Sequence, residues 1–300
     1  MNSNRVEIDC NGFPYINSEV YKTNCGTNYL KEPGVAIVSM PQISLAQNVD
    51  AMLLGFDKEL EFEKYTYDDS KRLEDGTQLC KFAGQLCYAS FGPNRSLNSE
   101  AEKYFTNIRS SGHGSVLEHA NYSFLLWGID RSVSHELVRH RAGMAYSQLS
   151  QRYVDGKVLR FVERPEWQDE GELHRMFEER IDSFADQYNY LAETLAKKQL
   201  GNYSILSSEN KRGARKKVNQ AARSVLPNET ETILVATGNV RAIRHVIEMR
   251  ANKHTDILIR ESACRMYECI NNVAPIMFND YELVYLPDGT RGIETECRKV

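Results

Sequence analysis

Between Arg139 and Tyr153 the chain reads RHRAGMAYSQLSQRY. Arg139, Arg141 and Arg152 are permanent cations, and His140 becomes one when protonated. Ser147, Gln148, Ser150 and Gln151 add hydroxyl and amide donors. Guanidinium forks beside successive backbone N–H groups suit phosphate or carboxylate oxygens. On a helix Glu136, Arg139 and His140 lie three and four apart and share a face. Arg141 stands about 100° further round. Cations aimed in more than one direction suit two anionic ligands, or one ligand wrapped around the helix end. Cations at a helix C-terminus also complement the backbone dipole, a simpler reading that needs no ligand.

A second cluster, NVRAIRHVIEMRANKH, repeats the pattern. Arg241, His245 and Met249 fall four apart on one helical face, Arg250 and His254 form an adjacent stripe, and Asn239 is placed to open the helix. Upstream, AARSVLPNET supplies Arg223 just before a Pro-Asn turn. His113 and His119 in GHGSVLEH lack a third ligand at fixed spacing, so no metal site is expected. The seven cysteines, Cys10, Cys25, Cys80, Cys87, Cys264, Cys269 and Cys297, are odd in number, widely spaced and without a CxxC pair. That excludes a disulfide framework or zinc site. None is expected to be a nucleophile, and Cys80 and Cys87 read as buried helix packing. There is no GxxxxGK[ST], GxGxxG or GxSxG. A dinucleotide would therefore be held by Arg, His and Asn rather than by a glycine loop. Spacing alone points to an enzyme that binds two phosphorylated small molecules.

Several elements must position these groups. GVAIVSM at 34–40 reads as a buried strand, and Leu79, Phe82, Ala83 and Leu86 recur at helical spacing. HANYSFLLW alternates as a strand through Ala120, Tyr122, Phe124 and Leu126. Asp130 or Ser132 can cap a helix over 132–142 that frays near Gly143, leaving SQLSQRY as loop. Residues 170–199 carry one apolar stripe, Leu173, Phe177, Ile181, Phe184, Tyr188, Leu191 and Leu195, with Gly201 as its stop. ETILVATG is a strand, Asn239 opens the next helix, and a last helix spans 256–273. Strands and helices mix without a regular βαβ beat, so the fold class is α+β. The 300 residues are 41% hydrophobic with a net charge of -4. That composition is globular and lacks the basic field that recruits nucleic acid. KRGARKK at 211–217 reads as a solvated helix face, with an anion-attracting rim as the alternative. MNSNRVEIDCNG has no apolar signal core and no run of eighteen apolar residues occurs, so a cytoplasmic chain with no membrane partner is expected.

Taken together, RHR with SQLSQRY, GHGSVLEHANYSF, AARSVLPNETET, TGNVRAIRHVIEMRANKHTD and NNVAPIMFNDYE resemble, in order, the motifs of flavin-dependent thymidylate synthases. The resemblance covers about residues 75–285. It implies a catalytic domain over 76–290, with 1–75 as an N-terminal extension of unknown role and 291–300 as a tail. It implies a twisted, mainly antiparallel sheet flanked by helices, and a homotetramer with active sites between subunits. The chemistry implied is conversion of dUMP to dTMP with FAD, methylenetetrahydrofolate as carbon donor and NADPH as reductant.

By position, Arg139, His140 and Arg141 would hold FAD, with Arg139 also near the pyrimidine. Ser115, Asn239, Arg241 and His245 would complete the flavin site. Ser90 and His113 would line the flavin and folate pocket. Glu136, Ser150, Gln151, Arg152 and Arg223 would hold the nucleotide. Gln148 would face its sugar at the edge of the cofactor, and Arg250 would be the catalytic group that polarises the uracil. One departure bears on the substrate: eight residues, 142–149, separate RHR from Ser150 where the family usually has seven, and Ala145 replaces a common serine. That extra residue raises UMP as an alternative to dUMP. A flavoprotein without turnover and a nucleic-acid-binding module are the readings from other classes.

Overall fold

The structure is a computed structural model that describes residues 5–300 apart from 67, 68, 70, 155–157, 201–207 and 299. The N-terminal part runs through β1 (Glu7–Ile8), β2 (Pro14–Ile16), β3 (Val20–Lys22), β4 (Asn28–Leu30) and β5 (Gly34–Ser39). It continues through α1 (Ala46–Leu53), α2 (Asp75–Cys87) and α3 (Ala101–Ser110). The middle holds β6 (Asn121–Asp130), α4 (Arg131–Leu137), β7 (Met144–Gln148), β8 (Arg160–Val162), α5 (Pro165–Gln168), α6 (Gly171–Leu200) and α7 (Ser208–Ala222). The last part is β9 (Glu231–Asn239), α8 (Val240–Arg250), α9 (Ile257–Val273), α10 (Pro275–Phe278), β10 (Tyr281–Tyr285) and β11 (Arg291–Thr295). The chain is α+β. Six strands form one sheet in the order β1-β2-β5-β6-β9-β7, antiparallel at every pairing.

The sheet follows from alternation. Tyr122, Phe124 and Leu126 of β6, with Leu234 and Ala236 of β9, point to one face and are at most 2% exposed. The helices α8 and α9 cover that face through Ile243, Val246, Ile247, Leu258, Ile259 and Ala263. Asn239 caps α8 as the sequence predicts, its Oδ1 accepting from Ala242 N at 2.9 Å, and Asp256 caps α9, its Oδ1 accepting from Leu258 N at 3.0 Å. The long stripe forms α6, whose Phe177, Ile181 and Tyr188 are buried, whereas Leu173 is exposed. Its expected stop, Gly201, lies outside the described residues. The basic run 211–217 lies on α7 and is largely exposed.

Five expectations need correction. Residues 1–75 do not stand apart from the catalytic fold: β1, β2 and β5 belong to the central sheet, and Ile16, Val35 and Ile37 lie in its core. Residues 291–300 are likewise no loose tail, because β11 pairs with β10 and Ile293 is buried. The helix expected over 132–142 ends at Leu137, so RHR lies beyond it in a turn where His140 N donates to Leu137 O. Residues 144–148, expected as loop, form the edge strand β7 because β9 offers a free ladder of backbone groups. The apolar spacing of α2 also misleads. Its buried face carries Gly76, Thr77, Cys80, Lys81, Gly84 and Gln85, while Leu86 and Cys87 are exposed.

Removing residues 1–39 should therefore abolish cooperative folding, because it strips Ile16, Val35 and Ile37 from the core and bares β6 as an edge. Thermal unfolding by circular dichroism checks this. A truncated chain with a sharp transition near that of the full chain would make the stretch a dispensable appendage.

Candidate functional site

The site is built where β9 passes into α8. Asn239 ends the strand, caps the helix, and donates its own N–H to Gly143 O at 3.2 Å. That bond ties the RHR turn to the start of α8. Gly143 has φ +71°, and a Cβ there would stand 2.7 Å from Asn239 Nδ2 and 2.9 Å from Ala242 Cβ. Only glycine meets both conditions.

At the C-terminal end of α8, Arg250 reaches back to the end of α4. Its Nε donates to His140 Nε2 at 2.8 Å. One terminal nitrogen donates to Glu136 Oε2 at 2.7 Å and the other to the Glu136 carbonyl at 3.1 Å. Arg139 pairs with the other carboxylate oxygen at 2.9 Å. Burial works to raise the Glu136 carboxyl, but the Arg250 and Arg139 guanidiniums outweigh it and hold the group below its ordinary range. Burial, then Arg250, then His245 disfavour the imidazolium of His140 and take it down to about 4. His140 is thus neutral near pH 7. Because its Nε2 accepts from Arg250, its proton lies on Nδ1. The His245 ring meets it edge-on with centroids 5.6 Å apart.

Glu136, Gln148 and Arg250 line a cleft of about 750 Å³ together with Arg131, Ser134, His135, Asn228, His254, Thr255 and Asp256. Ser90, His113 and Ser115 line a separate cavity of about 350 Å³ with Gln85, Tyr88 and Tyr104. Arg241 lies between: a Cβ on Gly114 would be 3.0 Å from its Nε, and its guanidinium pairs with Glu118 at 2.6 Å. The structure brings Glu136, Arg139, His140, His245 and Arg250 into one network. It does not bring Ser90, His113 or Ser115 into that network within one chain. Ser150, Gln151 and Arg152 follow β7 outside the cleft lining. Gln151 lines a small crevice with Leu149 and Tyr188.

Sequence reasoning missed Arg131. It is the first residue of α4, where a cation opposes the helix dipole. Burial and then the neighbouring Arg223 cation lower its pKa. Neither is in an ion pair among the described residues. A cation at the first helical position was the available signal. Two like charges held together favour an anion between them.

The donor set also suits an anionic flavin cofactor. Arg139 and Arg241 have exposed side chains, His140 presents a neutral Nδ1–H, and the Tyr146 hydroxyl and Arg152 Nε are buried without a partner among the described residues. Thiol chemistry is disfavoured at the buried cysteines: burial pushes Cys80, Cys264 and Cys269 up to about 12. No cluster of three metal-ligating side chains occurs among the described residues, and no helix there is long and apolar enough to cross a membrane.

The family model described as "Thymidylate synthase complementing protein" matches residues 70–276. A flavin-dependent thymidylate synthase of Mycobacterium tuberculosis strain H37Rv is 42% identical over 217 residues, 72% of this chain and 84% of that protein. One from Mycobacterium sp. strain KMS is 43% identical over 221 residues, with the same shares. A solved structure, the UMP/dUMP methylase PolB from Streptomyces cacaoi bound with 5-Br dUMP, is similar in fold, with a TM-score of 0.54 at 16% identity. The match covers 83% of this chain and 94% of that one.

The neutral state of His140 predicts a pH effect. Its folded pKa of about 4 lies below the ordinary 6.5, so between those values the unfolded chain binds more protons. The stability linked to His140 is complete above pH 6.5 and is lost as pH falls toward 4. Denaturant midpoints at pH 7.5 and pH 5 should differ more for the natural chain than for His140→Asn. Equal differences would show that the imidazole is not held neutral.

Proposed function

The chain belongs to the thymidylate synthase complementing protein family, and from that premise we propose that it methylates C5 of a uridine monophosphate, with dUMP as the default substrate. The single observation that carries the reading is the Arg250 guanidinium, fixed by Glu136 and His140 at the wall of a cleft edged by Arg131. Attack through a uracil ring builds negative charge on its carbonyl oxygen and N3. A guanidinium already oriented stabilises that charge where it develops, without reorganising.

In this reading Arg131, Arg152 and Arg223 hold the phosphate, with backbone N–H groups of Ser150 and Gln151. Gln148 faces the sugar, and Glu136 and Arg250 face the base. Arg139, His140, Arg141, Ser115, Asn239, Arg241 and His245 hold FAD, and Ser90 and His113 border the folate. FAD, when bound, supplies hydride chemistry that no side chain can supply. Methylenetetrahydrofolate is the carbon donor and NADPH the reductant. No thiol adds to the pyrimidine, in keeping with three thiols protonated by burial. Because the two groups of site residues line separate cavities in one chain, a homotetramer that sets one subunit's cavity beside another's cleft would complete the site.

UMP is the alternative substrate. Product analysis with dUMP and UMP side by side, in the presence of FAD, NADPH and methylenetetrahydrofolate, should give a C5-methylated nucleotide. No methylation of either would overturn the proposal, and a higher kcat/KM for UMP would reassign the substrate.

Arg250→Ala should retain flavin absorbance after purification yet lose about 3 kcal/mol of transition-state stabilisation, roughly a hundred-fold or more in kcat. Single-turnover assays on the flavin-loaded variant measure this. Turnover near that of the natural chain would remove Arg250 from the chemistry.

A further inference from the structure

Gln148 closes β7 and lines the cleft. Its Nε2 stands 3.1 Å from Ser134 Oγ and 2.9 Å from Thr232 Oγ1. The two ends of an amide have nearly the same shape, so its orientation must be argued from its partners. Ser134 supplies the argument. Its Oγ lies 3.0 Å from the Arg131 carbonyl, which can only accept, so the single hydroxyl hydrogen is committed there. Toward Gln148 the Ser134 oxygen can then only accept, and the group facing it must be an N–H. Thr232 takes the second N–H. Both amide hydrogens are used, and Gln148 Oε1 is left without a hydrogen bond among the described residues.

Ser134 and Thr232 are each 2% exposed, so they hold the amide from behind rather than from solvent. The reversed orientation would press a carbonyl oxygen against a buried oxygen with no hydrogen to give. Resting on the nucleotide reading above, we propose that Ser134 and Thr232 are positioning residues. They fix the Gln148 amide with its oxygen toward the cleft, so that the site selects a nucleotide presenting a sugar hydroxyl as donor. Phosphate oxygens and uracil carbonyls are acceptors and gain nothing there. The sugar hydroxyls are the donors on the part of the nucleotide that Gln148 faces.

A site built to bond a hydroxyl discriminates strongly against an analogue that lacks it. The experiment compares kcat/KM for dUMP, 2′,3′-dideoxy-UMP and 3′-deoxy-UMP in the natural chain, in Ser134→Ala with Thr232→Val, and in Ser134→Ala alone. The natural chain should prefer dUMP or 3′-deoxy-UMP over the dideoxy nucleotide by about tenfold to a hundredfold. The preferred member of the pair identifies the hydroxyl. In the double variant the amide is free to turn and the ratio should collapse toward one. A loss that lowers all three nucleotides alike, leaving the ratio intact, is a structural effect and overturns the proposal. Ser134→Ala alone removes the acceptor that fixes the amide and should likewise lower the ratio if the double variant does not fold, and an unchanged ratio there would overturn the assignment. If the natural chain methylates neither these three nor UMP, the catalytic reading fails. The ratio of dissociation constants for dUMP and the dideoxy nucleotide on the flavin-loaded chain then decides the inference alone, and a ratio of one, or no binding, sinks it.

Discussion

The site hangs on one guanidinium. Arg250 stands at the end of α8, yet its three nitrogens are committed to residues at and just past the end of α4. Helices that end in the same place without such a link would leave their last carbonyls and side chains to fray. Here the link joins two termini and closes one wall of the cleft. It also sets the charge of its neighbours. The same cation that holds Glu136 ionised helps to keep His140 neutral. An imidazole beside a carboxylate would ordinarily gain a proton. This one instead accepts from Arg250 and offers Nδ1–H outward.

Behind that wall the sheet supplies register. β9 pairs with β6 on one side and β7 on the other, and its last residue caps α8. Three jobs on one strand mean that Thr232, Asn239 and the partners of Gln148 are fixed together. A buried arginine, Arg244, locks the far side of α8 to Asp280 through both terminal nitrogens at 2.7 Å. Such a pair, once formed in a core, is costly to break because either charge alone would be stranded. The helix that carries Arg250 is therefore held along its length rather than only at the site.

Much of this was readable from residue types. The Asn239 cap and the alternation in β6 follow local rules and appear where expected. Glu136, Arg139 and His140 do meet, but through a turn and Arg250 rather than along one helical face. What was not readable depends on partners remote in sequence. β7 is short and half-polar, and it becomes a strand only because β9 lies beside it. Of the strands before residue 40, β5 was legible as an apolar run, but β1 to β4 have two or three residues each, too few for periodicity to declare them. On α2 the helical spacing of Leu79, Phe82, Ala83 and Leu86 is real, but the core takes the opposite face through two glycines that let Tyr104 and Tyr122 approach. Arg131 escaped notice because a motif search rewards clusters, whereas its meaning lies in standing alone at the wrong end of a helix.

The extra residue between RHR and Ser150 can now be placed. Sequence alone would let it displace the backbone anywhere between the RHR cations and Gln148. The ladder to β9 removes that freedom. From Met144 opposite Gly238 to Gln148 opposite Leu234 the pairing runs without a bulge, and a single added residue inside it would turn every later side chain to the other face. Gln148 would then lose Ser134 and Thr232. The surplus must therefore lie in the turn over 139–143, where the positive φ of Gly143 and its bond to Asn239 take up the change. Its effect falls on how Arg139 and Arg141 are presented, not on Gln148. Under the proposed nucleotide assignment, discrimination at the sugar is then a matter for Gln148 and the two hydroxyls behind it.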